Sequence, residues 1–240
     1  MSNKVMVLGA SGATGRLVVT QLLEANMEVV AIVRSADRLS IEAAESTQLH
    51  IVEAEIAHIG AETLASLMRG CNAVISCLGH NLTFKGIYGQ PKKLVTLAAE
   101  QVYQAAQLSN SKIKFVLMNT TGNSNRDIVE QVPFSQKLVI AILRKILPPH
   151  VDNELAADFL RLEVGQSSAW LEWVVVRPDG LIDEHSVTEY EVHESPIRNV
   201  IFDAGKTSRI NVANFMARLL ADDALWVYWK GKMPVIYNRD

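Results

Sequence analysis

The chain has 240 residues, of which 49% are hydrophobic and 20% are charged, and its formal net charge at pH 7 is −3. This length and hydrophobic fraction fit one α/β domain with a sizeable core, and they exclude a disordered or fibrous chain. Because the net charge is small and the basic residues are scattered, there is no electrostatic case for nucleic acid or an anionic membrane as a partner.

Strand and helix patterns alternate along the chain. We predict strands near 4–8, 28–33, 48–53, 72–77, 113–118 and 173–177, and helices near 14–25, 36–45, 61–69, 92–108, 126–147 and 153–168. The strands are continuous apolar runs, which is typical of strands covered on both faces. The alternation therefore predicts an α/β fold with a doubly wound parallel sheet, in which ligands bind beyond the C-terminal strand ends.

The alternation stops after the last of these strands. Between residues 179 and 210 the sequence becomes polar and rich in β-prone residues, which predicts a small substrate-side lobe within a single domain of residues 1–240. A last helix near 211–221 and an apolar tail from Pro234 to Tyr237 follow.

The first predicted strand ends in a glycine pattern, Gly9-x-x-Gly12-x-x-Gly15, and a helical pattern follows at once. Gly9 would allow a tight turn, Gly12 would let the backbone approach a pyrophosphate, and Gly15 would let helix and strand pack closely. Free backbone N–H groups and the positive end of the helix dipole would converge on that anion. The pattern predicts a dinucleotide site that includes Gly9, Ser11, Gly12, Ala13, Thr14, Gly15 and Arg16.

The end of the second strand indicates which dinucleotide is bound. Sites for NAD usually place Asp or Glu there to hold the ribose 2′-hydroxyl, whereas this chain has Arg34, Ser35 and then Arg38. A guanidinium can bind a 2′-phosphate bidentately and a carboxylate would repel it. Arg16 could add a second positive charge. Solvated surface arginines are the alternative interpretation, but we predict NADP rather than NAD.

Several segments in chain order resemble the atypical short-chain dehydrogenase/reductases of the NmrA-like or flavin-reductase-like branch. They are GASGATG at 9–15, AIVRS at 31–35, EAEI at 53–56, VISCLG at 74–79, FVLMNTTGN at 115–123 and WVVVRPDGL at 173–181. The resemblance implies an NAD(P)-binding Rossmann fold. It also implies that Glu55 and Ile56 flank the adenine, that Leu78 and Gly79 pass along the cofactor with Asn119 and Thr120 near it, and that Pro178 borders the nicotinamide.

The chain departs from this family at two points. The acidic residue near the adenine is usually Asp, and here it is Glu55. The family's chemistry usually needs a tyrosine that transfers the proton and a lysine four residues later that lowers its pKa. No tyrosine lies between Met118 and Val176. Tyr88 and Lys92 have the right spacing, but they follow the fourth strand and Pro91 interrupts the turn, so we interpret this match as chance.

Two residues are candidates for catalysis in place of that pair. Thr121 aligns with the family's catalytic Ser or Thr, and its hydroxyl could bond a carbonyl or quinone oxygen; alternatively it satisfies a turn at the strand end. His150 follows two prolines and titrates near neutral pH; alternatively it lies in a rigid loop before a helix capped by Asp152 or Asn153. Tyr190 and His193 could reach over the substrate or pack on the surface. We predict no metal site.

One predicted helix carries an apolar stripe wider than a single sheet face demands. The stripe would suit a homodimer contact, the roof of a substrate cavity or the core, and it comprises Phe134, Leu138, Val139, Ile142, Leu143 and Ile146.

Two functions of different classes fit these patterns. One is an NADPH-dependent reductase that passes hydride to a flavin, quinone or other conjugated small-molecule acceptor, which needs little help from a protein acid. The other is a redox sensor that holds NADP without turnover and reports to a partner. A sugar-nucleotide epimerase or dehydratase ranks last because it normally relies on the missing tyrosine. We favour the reductase because residues 179–210 are long enough to build a substrate pocket.

Three features indicate a cytoplasmic protein. The apolar runs are too short to span a bilayer, and the first strand begins too early to leave room for a signal or transit peptide. Cys71 and Cys77 flank one predicted strand, which suits a reducing compartment better than a disulfide framework.

Overall fold

The computed structural model of the protein describes residues 3–39, 46–80, 89–131 and 133–239. In the first half of the chain, strands and helices alternate. The elements are β1 (Lys4–Leu8), α1 (Gly15–Glu24), β2 (Glu28–Val33), β3 (Leu49–Glu53), α2 (Ala61–Leu67), β4 (Ala73–Ser76), α3 (Leu94–Leu108) and β5 (Ile113–Met118). A short 3₁₀ turn, Ala36–Arg38, follows β2.

The second half begins with two successive helices and then mixes short strands with helices. The elements are α4 (Phe134–Ile146), α5 (Pro148–Asp158), a π-helical turn (Phe159–Val164), β6 (Leu171–Pro178), β7 (Gly180–Ile182), β8 (Tyr190–His193), β9 (Lys206–Ser208), α6 (Arg209–Ala221), α7 (Asp223–Trp229) and β10 (Val235–Asn238).

The central sheet has the strand order β3-β2-β1-β4-β5-β6-β10-β8. All neighbouring strands are parallel except β8, which is antiparallel to β10. The order reverses between β1 and β4, and Leu8 at the end of β1 lies opposite Ile32 on one side and Ser76 on the other. The predicted doubly wound sheet is confirmed, with its topological switch point beyond Leu8.

The core forms one layer on each face of this sheet. Val5 and Val7 of β1 point into the layer covered by α1, α6 and α7. Met6 and Leu8 point into the layer covered by α2, α3 and α5. Because both faces are covered, the four positions of β1 after Lys4 are all apolar and buried. This is why such strands appear in the sequence as continuous hydrophobic runs.

Residues 179–210 contain three short strands rather than an unstructured loop. β7 and β9 pair in parallel as a two-stranded sheet. β8 joins the edge of the main sheet through β10, which the sequence shows only as an apolar tail. Val235 of β10 lies opposite Arg177 of β6, so the tail is a strand inside the main sheet.

The helix predicted at 126–147 begins later, at Phe134. Pro133 has extended backbone angles at its N-terminus, and the loop before it is held by its side chains. Among these, the Glu130 carboxylate forms a buried ion pair with Arg177. The helical sequence pattern cannot predict this tertiary contact. The predicted helix start at residue 126 was therefore wrong.

The helix predicted at 153–168 begins earlier, at Pro148. Pro148 and Pro149 occupy its first turn, where a missing N–H leaves no hydrogen bond unmade. His150 therefore lies in a helix, and the alternative that placed it in a loop before a cap at Asp152 or Asn153 was wrong. Of the helix predicted at 36–45, only the 3₁₀ turn is seen; residues 40–45 lie outside the described chain.

Candidate functional site

The turn between β1 and α1 has the shape that its glycines predict. Gly9 has φ +75°, and a Cβ there would lie 3.0 Å from the Cys77 carbonyl oxygen. A Cβ on Gly15 would lie 2.2 Å from the Gly9 carbonyl oxygen. Both positions therefore need glycine, one for its backbone angle and the other for space.

The N-terminus of α1 is open to a ligand. Within the described chain no side chain caps this helix, and its first turn holds no acidic residue. The N–H of Gly12 donates to the Gly9 carbonyl at 3.0 Å, which closes the turn in front of the helix. The remaining N–H groups of the first turn and the helix dipole thus favour an anion at this point.

A cavity of about 290 Å³ lies beyond the C-terminal ends of β1, β2, β3 and β4. We call it the strand-end cavity. Its walls include eight of the residues predicted to bind the cofactor, namely Gly9, Ser11, Gly12, Arg34, Glu55, Ile56, Leu78 and Gly79. The structure therefore brings together residues from four separate loops, at the place where a doubly wound sheet binds its ligands.

The other predicted cofactor residues do not line this cavity. Ala13, Thr14, Gly15 and Arg16 continue the glycine turn into α1, and Ser35 follows Arg34 at the start of the 3₁₀ turn. Asn119 and Thr120 follow β5, and Pro178 ends β6. These last residues lie further along the same edge of the sheet, on the side where the second half of a dinucleotide would extend.

Positive charge gathers at the β2 end of the strand-end cavity. Arg34 and Arg38 both line it, both are exposed, and neither forms an ion pair within the described residues. The Glu53 carboxylate accepts a hydrogen bond from the Ala36 N–H at 2.6 Å, which holds the turn that carries the two arginines. Glu55 instead faces His58, with the two side chains 3.3 Å apart.

The cavity wall also contains His80, which was not among the residues predicted from the sequence. Its Nε2 lies 2.8 Å from Oδ2 of Asp152, and these side chains are 6% and 0% exposed. The two residues are 72 positions apart, so no local pattern could have paired them.

Asp152 sits at the centre of a hydrogen-bond cluster. Its carboxylate also accepts from the N–H groups of Val95 and Thr96, at 2.8 and 3.0 Å, and from the Thr96 hydroxyl at 2.6 Å. Burial would raise the pKa of Asp152, but the bonds from His80, Thr96 and Val95 outweigh it and hold the pKa below its usual value. Asp152 is therefore an anion that caps the N-terminus of α3 from another helix.

Thr121 lies at the end of β5 and its hydroxyl is already engaged. The side chain is buried, and Oγ1 donates to Oδ1 of Asp179 at 3.2 Å. Asp179 also accepts from the Gly205 N–H at 2.9 Å, and burial raises the pKa of its carboxyl group. Thr121 thus joins β5 to the residues between β6 and β9.

His150 lies beside the end of β5. A Cβ built on Gly122 would be 3.5 Å from Cε1 of His150 and 3.7 Å from Oγ1 of Thr120, so the ring and the hydroxyl flank the same glycine. The His150 side chain is 9% exposed, and its Nε2 lies 3.4 Å from Oε1 of Glu154. The Asn119 amide donates to the Asn153 carbonyl at 2.9 Å, which fixes α5 against the strand end.

The remaining candidates lie away from the strand-end cavity or outside the described residues. Tyr88 lies outside them. The Tyr190 hydroxyl donates to Asn214, and His193 faces Glu191. On α4, Leu138, Ile142 and Ile146 are about half exposed and Ile140 is buried, so part of the apolar stripe faces outward; the Phe134 side chain is not among those described.

Two further findings concern the described part of the chain alone. It contains no cluster of three or more His, Cys, Asp or Glu residues arranged to hold a metal ion. None of its helices has the length and apolar character needed to cross a membrane.

A comparison with protein families matches residues 9–223 to the NAD(P)H-binding family. The chain belongs to this family. Its membership confirms the resemblance to atypical short-chain dehydrogenase/reductases and accounts for the glycine turn and the cavity beyond it. No curated protein sequence matches the chain.

Solved structures share the fold of this NAD(P)H-binding protein at low sequence identity. One is a wide-type short-chain dehydrogenase/reductase from Veillonella parvula in complex with NADP, with TM-score 0.72, 15% identity, and 99% of this chain and 95% of that chain covered. Another is a candidate NADH-flavin reductase from Streptococcus pneumoniae, with TM-score 0.66, 17% identity, and 99% and 100% covered. A third is an anaerobilin reductase from Escherichia coli O157:H7, with TM-score 0.67, 19% identity, and 99% and 98% covered. At these identities the likeness is one of fold.

Proposed function

We propose that this NAD(P)H-binding protein is an NADPH-dependent reductase whose acceptor is a flavin, a quinone or a similar conjugated small molecule. The observation that carries the choice of NADPH is the pair of guanidinium groups, Arg34 and Arg38, in the wall of the strand-end cavity. Neither of them forms an ion pair with a carboxylate of the described chain. Together they suit a 2′-phosphate, and neither can accept the hydrogen bond that an Asp or Glu at this position takes from a ribose 2′-hydroxyl.

Different residues along this edge of the sheet would bind different parts of the dinucleotide. The N–H groups around Gly12 and the first turn of α1 would hold the pyrophosphate. Glu55 and Ile56 would flank the adenine, and Leu78 and Gly79 would border the chain of the cofactor. Asn119, Thr120 and Pro178 would border the nicotinamide. When bound there, NADPH supplies a hydride.

The residues beyond β5 would handle the proton that accompanies the hydride. A quinone or flavin that accepts a hydride needs one proton to reach its reduced form, and it can take this from water or from a nearby acid. His150, beside Thr120 and paired with Glu154, is our candidate for that acid. Thr121 would help to shape the strand end through its bond to Asp179.

The reductases among the structures of similar fold support this choice of acceptor. A candidate NADH-flavin reductase and an anaerobilin reductase both have this fold over nearly the whole chain. Flavins and bilins are conjugated acceptors, as the proposal requires. The absence of a tyrosine between Met118 and Val176 also fits an acceptor that needs little acid catalysis.

The cofactor part of the proposal is tested by titration with NADPH and NADH. Replacing both arginines, as Arg34→Gln with Arg38→Gln, should weaken NADPH binding by about 10- to 100-fold and leave NADH binding unchanged, because only the 2′-phosphate contacts are lost. Arg69→Gln, an exposed arginine after α2, is the matched control. Tighter binding of NADH than of NADPH to the unaltered protein would overturn the assignment.

The reaction is tested by following NADPH oxidation with quinones, flavins and simple carbonyls as acceptors. We expect turnover with quinones or flavins and none with carbonyls. His150→Gln should lower kcat with little effect on NADPH binding, and Thr121→Val should lower it less. If NADPH binds and no acceptor is reduced, the protein is a redox sensor instead.

A further inference from the structure

The two ring nitrogens of His150 have different surroundings. Nε2 is buried and lies 3.4 Å from Oε1 of Glu154, one helical turn further along α5. The opposite edge of the ring faces Gly122 in the loop after β5, where a Cβ would lie 3.5 Å from Cε1 and 3.7 Å from Nδ1. Among the described residues, Nδ1 has no hydrogen-bond partner. One nitrogen is therefore held beside a carboxylate, and the other is directed at the loop that follows the strand end.

The Glu154 carboxylate is itself fixed by Arg144 of α4. Nε of Arg144 lies 3.1 Å from Oε1 and 2.8 Å from Oε2, and Nη2 lies 2.8 Å from Oε1. Because a guanidinium group is planar and always charged, this forked contact orients the carboxylate and favours its ionised form. Arg126 adds a second guanidinium group, 3.9 Å from Oε2. The carboxylate thus keeps one orientation and one charge beside the histidine.

This carboxylate determines which nitrogen of His150 carries the proton when the ring is neutral. An ionised carboxylate can only accept hydrogen bonds. A bare Nε2 would place its lone pair against those of Glu154 at a buried position, which is unfavourable where the dielectric constant is low. The proton therefore belongs on Nε2, and Nδ1 carries a proton only in the charged ring. Only Nδ1 can release a proton and take it up again while Nε2 stays paired with Glu154.

We propose that His150 exchanges the proton of the reaction at Nδ1, and that Glu154 and Arg144 are the positioning residues that fix this choice. The inference rests on the proposed function, in which His150 is the acid. The Nδ1–H bond of the charged ring breaks as its proton passes to an oxygen or nitrogen of the acceptor that has received the hydride, where a new O–H or N–H bond forms. The neutral ring keeps its Nε2–H toward Glu154, and a proton from the solvent restores Nδ1–H.

The first test is a ring ¹⁵N–¹H correlation spectrum of the unliganded protein, with His150 assigned from the signals missing in His150→Gln. At a pH of about 8.5, where an ordinary imidazole is neutral, we expect the proton on Nε2. In Glu154→Gln the proton should move to Nδ1, because Arg144 would bind the amide oxygen and leave the NH₂ group to donate to Nε2. A bare Nε2 in the unaltered protein would overturn the assignment of Nδ1.

Variants of Arg144 test the second positioning residue while Glu154 stays intact. Arg144→Gln removes both the charge and the fork, whereas Arg144→Lys keeps the charge. Lys145→Gln removes an exposed charge from the same helix and is the matched control. We expect Arg144→Gln to lower kcat about tenfold without changing the KM for NADPH, and Arg144→Lys to restore most of the loss.

The stability of the same variants is measured by urea unfolding, because an ion pair with a structural role alone would also be weakened by Arg144→Gln. A loss of stability with kcat equal to that of Lys145→Gln would show such a role and would overturn the positioning role of Arg144.

Turnover separates failure of this inference from failure of the proposed function. If His150→Gln and Arg144→Gln reduce quinones or flavins as fast as the unaltered protein does, the proton comes from water. That result would overturn the inference and keep the reductase. If the unaltered protein binds NADPH and reduces no acceptor, both are overturned.

Discussion

Glu154 is a residue whose charge the fold depends on. Its side chain is 9% exposed, and Oε1 lies 2.8 Å from a nitrogen of Arg144 and 3.4 Å from Nε2 of His150. Burial would raise the pKa of Glu154, but His150 and Arg144 outweigh it and lower the pKa from 4.5 to about 2. Because the pKa is lower in the folded protein, ionisation of Glu154 stabilises the fold, by roughly 3 kcal/mol.

That stabilisation depends on pH in a defined window. It is complete above the unfolded pKa of 4.5 and is lost as the pH falls toward the folded pKa of about 2. Glu154→Gln should therefore lower the free energy of unfolding by roughly 3 kcal/mol at neutral pH, and the difference from the unaltered protein should shrink below about pH 4.5. Urea unfolding at a series of pH values measures this. Glu163→Gln, at an exposed position near α5, is the control.

The alternative result is a difference in unfolding free energy between Glu154→Gln and the unaltered protein that stays constant from neutral pH to about pH 2. That result would contradict this account, because the effect would then come from packing rather than from charge.

At the scale of single residues, sequence alone predicts what is local. Gly9 and Gly15 are required by a turn whose parts lie within a few residues of each other, and Arg34 follows directly from the end of β2. The pairs His80–Asp152 and Thr121–Asp179 join residues 72 and 58 positions apart. In these two pairs, the packing of α5 and the connections between strands decide which side chains come into contact. No periodicity or spacing in the sequence predicts such contacts.

Among the structural elements, the loop between β5 and α4 is held from within by one arginine. Arg177 of β6 is fully buried and donates to the carbonyl oxygens of Met233, Asn123 and Glu194, at 2.8, 2.9 and 3.2 Å. It also pairs with Glu130 at 2.8 Å. One side chain thus fastens the loop, the start of β10 and the end of β8 to the centre of the sheet.

Removal of this arginine should loosen all three segments. Arg177→Met leaves the buried Glu130 carboxylate without a counter-charge, with only the hydrogen bond from the Asn125 N–H at 3.1 Å. We therefore expect a loss of about 3–5 kcal/mol in the free energy of unfolding. In the double variant with Glu130→Gln the loss should be smaller than in Arg177→Met, because no unpaired charge remains. Chemical denaturation measures both.

Arg239→Met is the comparison, since Arg239 pairs with glutamates at an exposed position and should contribute little. Equal stabilities of Arg177→Met and Arg239→Met would contradict the anchoring role.

At the scale of elements, the strands could be predicted better than the helices after β5. The strands in the middle of the main sheet, β1, β2, β4, β5 and β6, consist mostly of buried apolar residues, and this signal is independent of their neighbours. The start of α4 depends instead on tertiary contacts of the loop before it. The start of α5 depends on a pair of prolines that the sequence pattern had placed in a loop. Pro148 and Pro149 are as compatible with a first helical turn as with a rigid loop, so the sequence could not choose between them.

For the whole molecule, the order of strands ties residues 179–210 to the main sheet. β8 pairs with β10, β10 pairs with β6, and the Thr207 hydroxyl of β9 donates to the Ile236 carbonyl at 2.6 Å. We therefore propose that the predicted lobe is part of one cooperative unit rather than a body that opens separately.

Hydrogen exchange in increasing denaturant tests this proposal. Peptides that contain β9 should lose protection at the same denaturant concentration as peptides that contain β1, because both depend on the same sheet. Peptides from the exposed turn around His185 should exchange early and serve as the reference for an unprotected segment. Loss of protection in β9 well before β1 would show that residues 179–210 unfold as a separate unit.

The position of β10 has a consequence for how the protein is made. Residues 235–238 lie between β6 and β8 in the sheet. The sheet as far as β6 can therefore assemble while the chain is still emerging from the ribosome. In contrast, β8 has no neighbouring strand to pair with until residue 238 has been synthesised. Until then the β6 edge, with Arg177 in it, stays uncovered. The newborn chain therefore passes through a stage in which an apolar strand edge is open to other nascent chains, and chaperones that recognise such edges would act at that stage.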